Sequence, residues 1–381
     1  MKTIKVGSDF SGVGAFDYAI ERVSKVKKFE IENIFACDMD KYARQSYLAN
    51  HKEPNYYPEN VYDREIPSES LDIYMTSPPC QSFSLAGERK GKQDKRGVLF
   101  FNSYEFIQKN NPRYFIFENV KGLISDNGGK TFQEWLNMLA GKSINGVPVI
   151  FPYEDSVPYH LYWKVLNSKK HGVPQNRERV FIIGIRDDSD NIFQFPKEEP
   201  LKKKLKDVIE IDVDNKYFLS EKTINGLNNR EISIGFTDSE SKIVANCIIA
   251  SYHKIPTDGE YIKIKNTTDL AIYNDKRLNS TIQKNELIKG KCLVLDTYNQ
   301  SVHKICPTLK ARHAVNGDRK LWDGYKIRRL TPLECFRLQD FPDCHVKNSI
   351  KVGISDSQLY KQAGNSITVR VLEKIIEKFN L

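Results

Sequence analysis

The 381 residues suffice for one large core, or for one core and a smaller second domain. An apolar fraction of 40% with no apolar run near the ~20 residues of a membrane helix excludes a helical membrane protein, and the expected location, with no apolar leader ahead of the first strand, is the cytoplasm. Fifty-eight basic against 49 acidic residues give +9, which is compatible with a polyanionic partner, and seven cysteines without a C-x-x-C pair point to reduced thiols, not disulfides or structural zinc.

In chain order, residues 2–10 alternate as a strand through Ile4 and Val6 and run into Ser8-Asp9-Phe10-Ser11-Gly12-Val13-Gly14-Ala15-Phe16. Phe16, Ala19, Ile20 and Val23 then mark one face of a helix. Strand, glycine turn and helix open a nucleotide-binding α/β unit, or form a plain tight turn. Ile31 to Cys37 is a second strand ending in Asp38, placed where a ribose hydroxyl pair is held, or where a helix over 38–50 is capped, a task open to Asp40 as well.

Leu71 to Thr76 is a third short strand, and Pro78 and Pro79 stop it, since neither has an N–H to donate. Cys80 therefore stands at a strand's carboxyl end, as buried filler or as a nucleophile. A polar loop follows, and Leu99 to Gln108 reads as a helix. Tyr114 to Phe117 is a fourth buried strand that terminates in Glu118-Asn119-Val120, and the Glu118 carboxylate needs a partner or a proton there unless the sheet edge solvates it.

Thr131 to Leu139 is a helix with Trp135, and Asn145-Gly146 marks a hairpin within 143–151. Leu161 to Leu166 and Val180 to Ile185 are further strands. Between them Arg177 and Arg179, two apart, share one face of an extended segment, solvated or binding a planar oxygen-rich ligand. Beyond Asp187 the chain turns polar, with a lysine cluster at 197–206 and strand-like runs at 242–251 and 291–295. Thr331, Pro332 and Glu334 spell a helix start, with Leu333, Phe336 and Leu338 as its apolar face. Gln362 to Ser366 is read as opening a terminal helix whose stripe is Val371 or Leu372, Ile375, Ile376 and Phe379.

Eight stretches in fixed order resemble the cytosine-C5 DNA methyltransferase family: DFSGVGAF (9–16), Asp38, SPPCQSFSLAG (77–87), RGVLF (96–100), ENVKGL (118–123), GVPQNRERVFIIG (172–184), RRLTPLECFRLQDFP (328–342) and QAGNSITVRVL (362–372). The resemblance implies an α/β fold: a Rossmann-like, mixed, mainly parallel sheet with helices on both faces, as in S-adenosylmethionine-dependent methyltransferases. A smaller strand- and loop-rich target-recognition domain accompanies it. The expected division is 1–190 catalytic, 191–350 target recognition, and 351–381 returning to the catalytic domain.

The resemblance also implies roles. Cys80 adds to carbon 6 of cytosine, Glu118 serves N3, Arg179 binds O2, and Arg177 holds the carboxylate and loop. Phe10, Ser11, Gly12, Gly14, Asp38, Met39, Asn60, Pro78, Asn365 and Ser366 bind S-adenosylmethionine, with Phe10 against the adenine and Asn60 at its amine. Gln81, Ser82, Ser84, Arg89, Lys92 and Arg96 belong to a DNA-closing loop, and Arg312, His313, Asn316 and Arg319 are nominated to read bases. The expected substrate is double-stranded DNA with its cytosine flipped out, the product S-adenosylhomocysteine, the state monomeric and metal-free, and any restriction endonuclease a genetic and not a physical partner. Two departures stand out: the family's usual aspartate falls on Ser8, with Asp9 where an apolar residue is usual, and Ala15 replaces a third glycine. Residues 141–156 resemble an insertion. The alternatives are a tRNA cytosine-C5 methyltransferase on this scaffold and a catalytically silent DNA-binding regulator; a nicotinamide dehydrogenase has no residue to recommend it.

Overall fold

The computed structural model describes residues 1–79, 98–187, 192–210 and 331–381 continuously, and between them the stretches 213–219, 236–238, 244–245, 247–254, 261–265, 293–296, 301–303, 319–322 and 325–330. The chain divides into two compact units, the first Met1–Ile209, Ile243–Gly259 and Thr331–Leu381, the second Glu210–Lys242 and Glu260–Leu330.

The first unit is built on an eight-stranded sheet, in the order β2-β1-β3-β4-β8-β7-β5-β6. Its strands are β1 (Thr3–Asp9), β2 (Glu30–Cys37), β3 (Ile73–Thr76), β4 (Tyr114–Val120), β5 (Ser143–Ile144), β6 (Val147–Pro148), β7 (Tyr159–Asn167) and β8 (Glu178–Arg186). The first four in sheet order run parallel, so the ends of β1, β2, β3 and β4 meet at one edge. β8 is antiparallel to β4 and starts at that edge, with Arg179 opposite Val120.

β4 shows why the sheet is covered twice. In a strand successive side chains point to opposite faces. Phe115 and Phe117 join an aromatic cluster with α3 (Val98–Asn110) and α4 (Lys130–Leu139), where Phe100 stacks on Trp135 at 4.2 Å between centroids. Tyr114 faces the other way and stacks at 4.4 Å on Phe379, just past the terminal helix α8 (Val369–Ile376). That helix buries Val371, Leu372, Ile375 and Ile376, the expected stripe, and lies against α1 (Ala15–Lys27).

Local chemistry sets the remaining elements. Asp40 caps α2 (Lys41–Leu48), accepting from the backbone amides of Tyr42 and Ala43. Thr331 and Glu334 exchange side-chain and backbone bonds at the start of α5 (Pro332–Arg337), the reciprocal cap that the sequence spells; Phe336 and Leu338 are buried and Leu333 only partly so. α6 (Asp343–Lys351) and α7 (Asp356–Asn365) follow. Asn145 and Gly146 both have positive φ, as a two-residue hairpin turn demands.

Two expectations are corrected. Gln362 to Asn365 does not open the last helix but closes α7, with Ser366 as its cap, and α8 begins only at Val369. In the run at 242–251 the described residues form no strand: Ala245 makes a single bridge to Gln175, and a 3-10 turn over Tyr252–Lys254 follows.

In the second unit, β14 (Tyr325–Arg329), β10 (Tyr261–Lys265) and β9 (Phe236–Asp238) form one three-stranded sheet. β12 (Ser301–His303), β11 (Leu293–Asp296) and β13 (Arg319–Trp322) form another. No helix among the described residues is long and apolar enough to cross a membrane.

Two strand glycines mark close approaches. A Cβ on Gly184 of β8 would overlap the Phe115 ring, and one on Gly7 of β1 would overlap Phe35. Gly184→Ala is expected to destabilise the protein by about 1–3 kcal/mol, seen as a lowered denaturation midpoint, because the aromatic cluster has no slack to absorb a methyl.

Candidate active site

The glycine turn leaves β1 through Phe10, a non-glycine residue at φ +57°, in the left-handed region that such side chains rarely adopt. Gly12 and Gly14 also have positive φ, and a Cβ on Gly14 would overlap the His51 ring, so glycine is required there on two counts. Asp38 closes the turn from β2. One carboxylate oxygen accepts from the Gly12 N–H and the other from the Asp40 N–H, each at 2.8 Å. Burial pushes its carboxyl above the usual range and those two amides pull it back. Asp38 therefore braces the turn, and the cap of α2 is Asp40.

Around that turn the residues leave room for a ligand. Above Gly12 a Cβ would meet nothing within 4 Å, and Met39 is 85% exposed despite its apolar side chain. Asn60 is exposed and opens a turn, its side-chain oxygen accepting from the Tyr62 N–H. Asn365 is exposed at the end of α7, beside buried Ser366. α7 is held to α2 by Lys361 on Asp40 at 2.6 Å and by Gln362, which bonds Ser46 and the Tyr42 carbonyl. Phe10, Ser11, Gly12, Gly14, Asp38, Met39 and Pro78 thus follow the carboxyl ends of β1, β2 and β3, which meet at one edge of the sheet.

At the same edge Glu118 is buried and meets Arg179, with Nε and Oε1 at 3.2 Å. Burial drives the Glu118 carboxyl above its ordinary range; Arg179 first, then Arg177, pull the other way. A carboxyl whose neutral form is favoured by burial can donate a hydrogen bond to a ring nitrogen. Its neighbour Asn119, quoted in the ENV motif without a role, donates from Nδ2 to the Pro78 carbonyl at 3.0 Å. That bond joins β4 to the chain two residues ahead of Cys80, and the signal for it was a buried amide next to a buried acid.

Arg177 corrects its expected role. It does not bind the carboxylate. It is wholly buried and donates to the carbonyls of Ile248, Gly364 and Ser366 at 3.1, 2.9 and 2.6 Å, and to the Cys247 sulfur at 3.3 Å. Burial lowers its pKa to about 10. One guanidinium thereby ties the start of β8 to the segment around 248 and to the Asn365-Ser366 turn, which a rigid five-donor fork can do and an ammonium cannot.

Cys80, Gln81, Ser82, Ser84, Arg89, Lys92 and Arg96 lie outside the described residues, as do Arg312, His313 and Asn316. Arg319 opens β13, and its side chain is also outside the description.

A mixed sheet of this order, with a braced glycine turn and an acid–guanidinium pair at its carboxyl edge, is the fold of the S-adenosylmethionine-dependent methyltransferases. Among solved structures the chain resembles the Entamoeba histolytica methyltransferase EhMeth with TM-score 0.64 at 18% identity, covering 99% of this chain and 98% of that one. It resembles the S. pombe Dnmt2 methyltransferase with TM-score 0.61 at 17% identity, over the same shares. The family model for C-5 cytosine-specific DNA methylases matches residues 4–380. In sequence the chain is 33% identical to the orphan methyltransferase M.SPRI of Bacillus phage SPR, over 99% of this chain and 98% of that relative. It is 32% identical to the type II methyltransferase M.HpaII of Haemophilus parainfluenzae, over 97% and 88%. The chain belongs to the C-5 cytosine-specific DNA methylase family, and its activity is methyl transfer to carbon 5 of cytosine in DNA.

Three outcomes follow from the geometry. Glu118→Gln is expected to cut turnover about 10²–10⁴-fold, measured as radiolabelled methyl incorporated into DNA. The raised folded-state pKa means that the wild type loses stability as pH rises from the usual carboxylate range towards that raised value, and the neutral amide of the Glu118→Gln variant is spared that loss. The variant's thermal midpoint relative to wild type should therefore climb with pH across that window. Arg177→Lys is expected to cost about 1–3 kcal/mol in thermal unfolding, since buried carbonyls are left without donors.

Proposed function

We propose that the methyl donor is S-adenosylmethionine and that transfer proceeds through a covalent bond between Cys80 and carbon 6 of a cytosine flipped out of duplex DNA. The observation that carries this reading is the Glu118–Arg179 pair at the carboxyl edge, with Asn119 fastening the strand that leads to Cys80.

Carbon 5 of cytosine is a poor nucleophile. The Cys80 thiolate forms a bond to carbon 6, and the electron pair of the C5–C6 double bond is released towards carbon 5 and the ring. Glu118 protonates or hydrogen-bonds N3, and Arg179 holds O2, so that charge developing on the ring meets a proton on one side and a cation on the other. When bound, S-adenosylmethionine supplies a methyl on a positively charged sulfur and departs as S-adenosylhomocysteine. Carbon 5 takes that methyl. A base, in this reading water, then removes the proton from carbon 5, the double bond re-forms, the thiolate leaves carbon 6, and the N3 proton returns to Glu118. Phe10, Asp38 and Asn60 hold the adenosine, and Ser11, Asn365 and Ser366 surround the amino-acid end, Arg177 positioning the last two.

The second unit serves in this reading as the target-recognition domain, with Arg312, His313, Asn316 and Arg319 towards base edges. The basic loop after Cys80 closes over the DNA, so binding weakens steeply with salt. The enzyme acts as a cytoplasmic monomer.

Trapping tests the chemistry. Duplex DNA carrying 5-fluorocytosine at a methylated site blocks the final proton removal, and wild-type protein with S-adenosylmethionine is expected to shift to a denaturation-resistant adduct. Cys80→Ala should bind the same duplex and form none. Binding without an adduct in the wild type would point instead to a silent DNA-binding regulator, and methylation of tRNA in preference to duplex DNA would overturn the substrate.

A further inference from the structure

The residue that breaks the family pattern, Asp9, is buried at 1% exposure at the carboxyl end of β1. One of its oxygens accepts from the Arg64 Nε at 2.9 Å and the other from the Tyr74 hydroxyl at 2.6 Å. Arg64 is itself buried, with its guanidinium 4.5 Å from the centre of the Phe106 ring. Tyr74, on β3, stacks on that same ring at 4.2 Å. One carboxylate therefore joins β1, β3 and the segment that carries Arg64.

What these three hold is specific. Asp9 immediately precedes Phe10, whose left-handed backbone needs a fixed strand end to sustain it. Arg64 immediately follows the turn opened by Asn60, in which the Asp63 N–H donates to the Asn60 carbonyl at 3.2 Å. That segment is neither helix nor strand. At its near end Arg44 donates to the Pro58 carbonyl at 2.9 Å, and at its far end the anchor is Arg64 on Asp9. Asn60 sits between the two anchors. Replacing a buried ion pair by apolar residues of similar volume is often neutral for stability, so such a pair is poorly explained as glue. What a charged bond adds over an apolar contact is direction, since it fixes a separation where methyl groups can slide.

We propose that Asp9, Arg64 and Tyr74 form a buried positioning clamp that sets the spacing between Phe10 and Asn60, and so tunes affinity for the adenine end of the methyl donor. The inference rests on the cofactor reading above, in which Phe10 and Asn60 face the adenine. Asp9, Arg64 and Tyr74 touch neither donor nor cytosine; they act through the two residues they hold.

The test is the double variant Asp9→Leu with Arg64→Leu, compared with wild type in full-length protein. Removing both charges together avoids stranding one of them in the core. The expected result is a thermal midpoint within a few degrees of wild type and a KM for S-adenosylmethionine raised about tenfold or more. Under saturating donor kcat should stay within about twofold, and affinity for duplex DNA should be unchanged, the pattern of lost ground-state binding. Equilibrium titration with S-adenosylhomocysteine should show the same loss. A double variant that keeps wild-type affinity for both overturns the clamp and leaves a purely structural pair. If the double variant does not fold, Tyr74→Phe decides, because its ring still stacks on Phe106 while the bond to Asp9 is gone: a KM raised about threefold with little change in kcat supports the clamp, and an unchanged KM sinks it. Wild-type protein that binds neither compound would overturn the cofactor reading itself, an outcome separate from a normal wild type with unaffected variants.

Discussion

Everything at the candidate active site depends on the direction of one strand. β8 enters the sheet at the edge where β1 to β4 end, and it does so because it runs antiparallel to β4. A parallel strand would deliver its carboxyl terminus to that edge, and a guanidinium at its start would lie at the far side of the sheet. The reversal sets Arg179 opposite Val120 and within reach of Glu118, and it makes Arg177, two residues earlier, the first side chain to pass into the buried region beside the Asn365-Ser366 turn. Two guanidiniums on one short stretch so take two tasks, one pairing with Glu118 and one holding the backbone around it. Their burial separates them: Arg179 keeps a solvent-facing side and pairs with an acid, whereas Arg177 spends its donors on backbone carbonyls.

The glycine turn rests on a similar division. Asp38 spends both oxygens on backbone amides, one in the turn and one at the start of the following helix. Asp40 takes the cap of α2 and also anchors Lys361 of α7. The N-terminal glycine turn and the C-terminal Asn365 turn, more than 300 residues apart in sequence, are thereby tied to the same helix.

Much of this is legible in the chain itself. Strands such as Tyr114 to Phe117 announce themselves as continuous apolar runs, the cap at Thr331 and Glu334 is a spelled motif, and Asn145-Gly146 specifies its own turn. These are local signals, carried by neighbours in sequence. What stays hidden is set by partners far along the chain. Nothing near Arg177 says that its acceptors are carbonyls at 248, 364 and 366, and a pair of spaced arginines reads equally well as solvated or ligand-binding. The run at 242–251 has the composition of a strand, but its described residues make a single bridge, Ala245 to Gln175, and Ile249 and Ala250 are pressed against Gly364. Gln362 to Ser366 reads one helix too late because Gly364 suggests a turn, whereas it is glycine for closeness: a Cβ there would overlap the backbone at 249–250. Asp9 reads as a blemish in a glycine motif, and only Arg64 and Tyr74, brought beside it by the fold, give the carboxylate its partners.

The hairpin of β5 and β6 closes the far side of the sheet, and its sequence reconciles two opposed tendencies. Its tip and the loop after it expose Val147, Ile150 and Phe151, a sticky surface by composition. Yet the outermost strand is only two residues long and one of them is Pro148, which has no amide hydrogen to offer a newcomer. Greasy side chains and a backbone unable to extend the ladder thus coexist on one rim, so whatever meets that rim must do so through side-chain contact, and stacking of sheets edge to edge into fibres is discouraged at its first step.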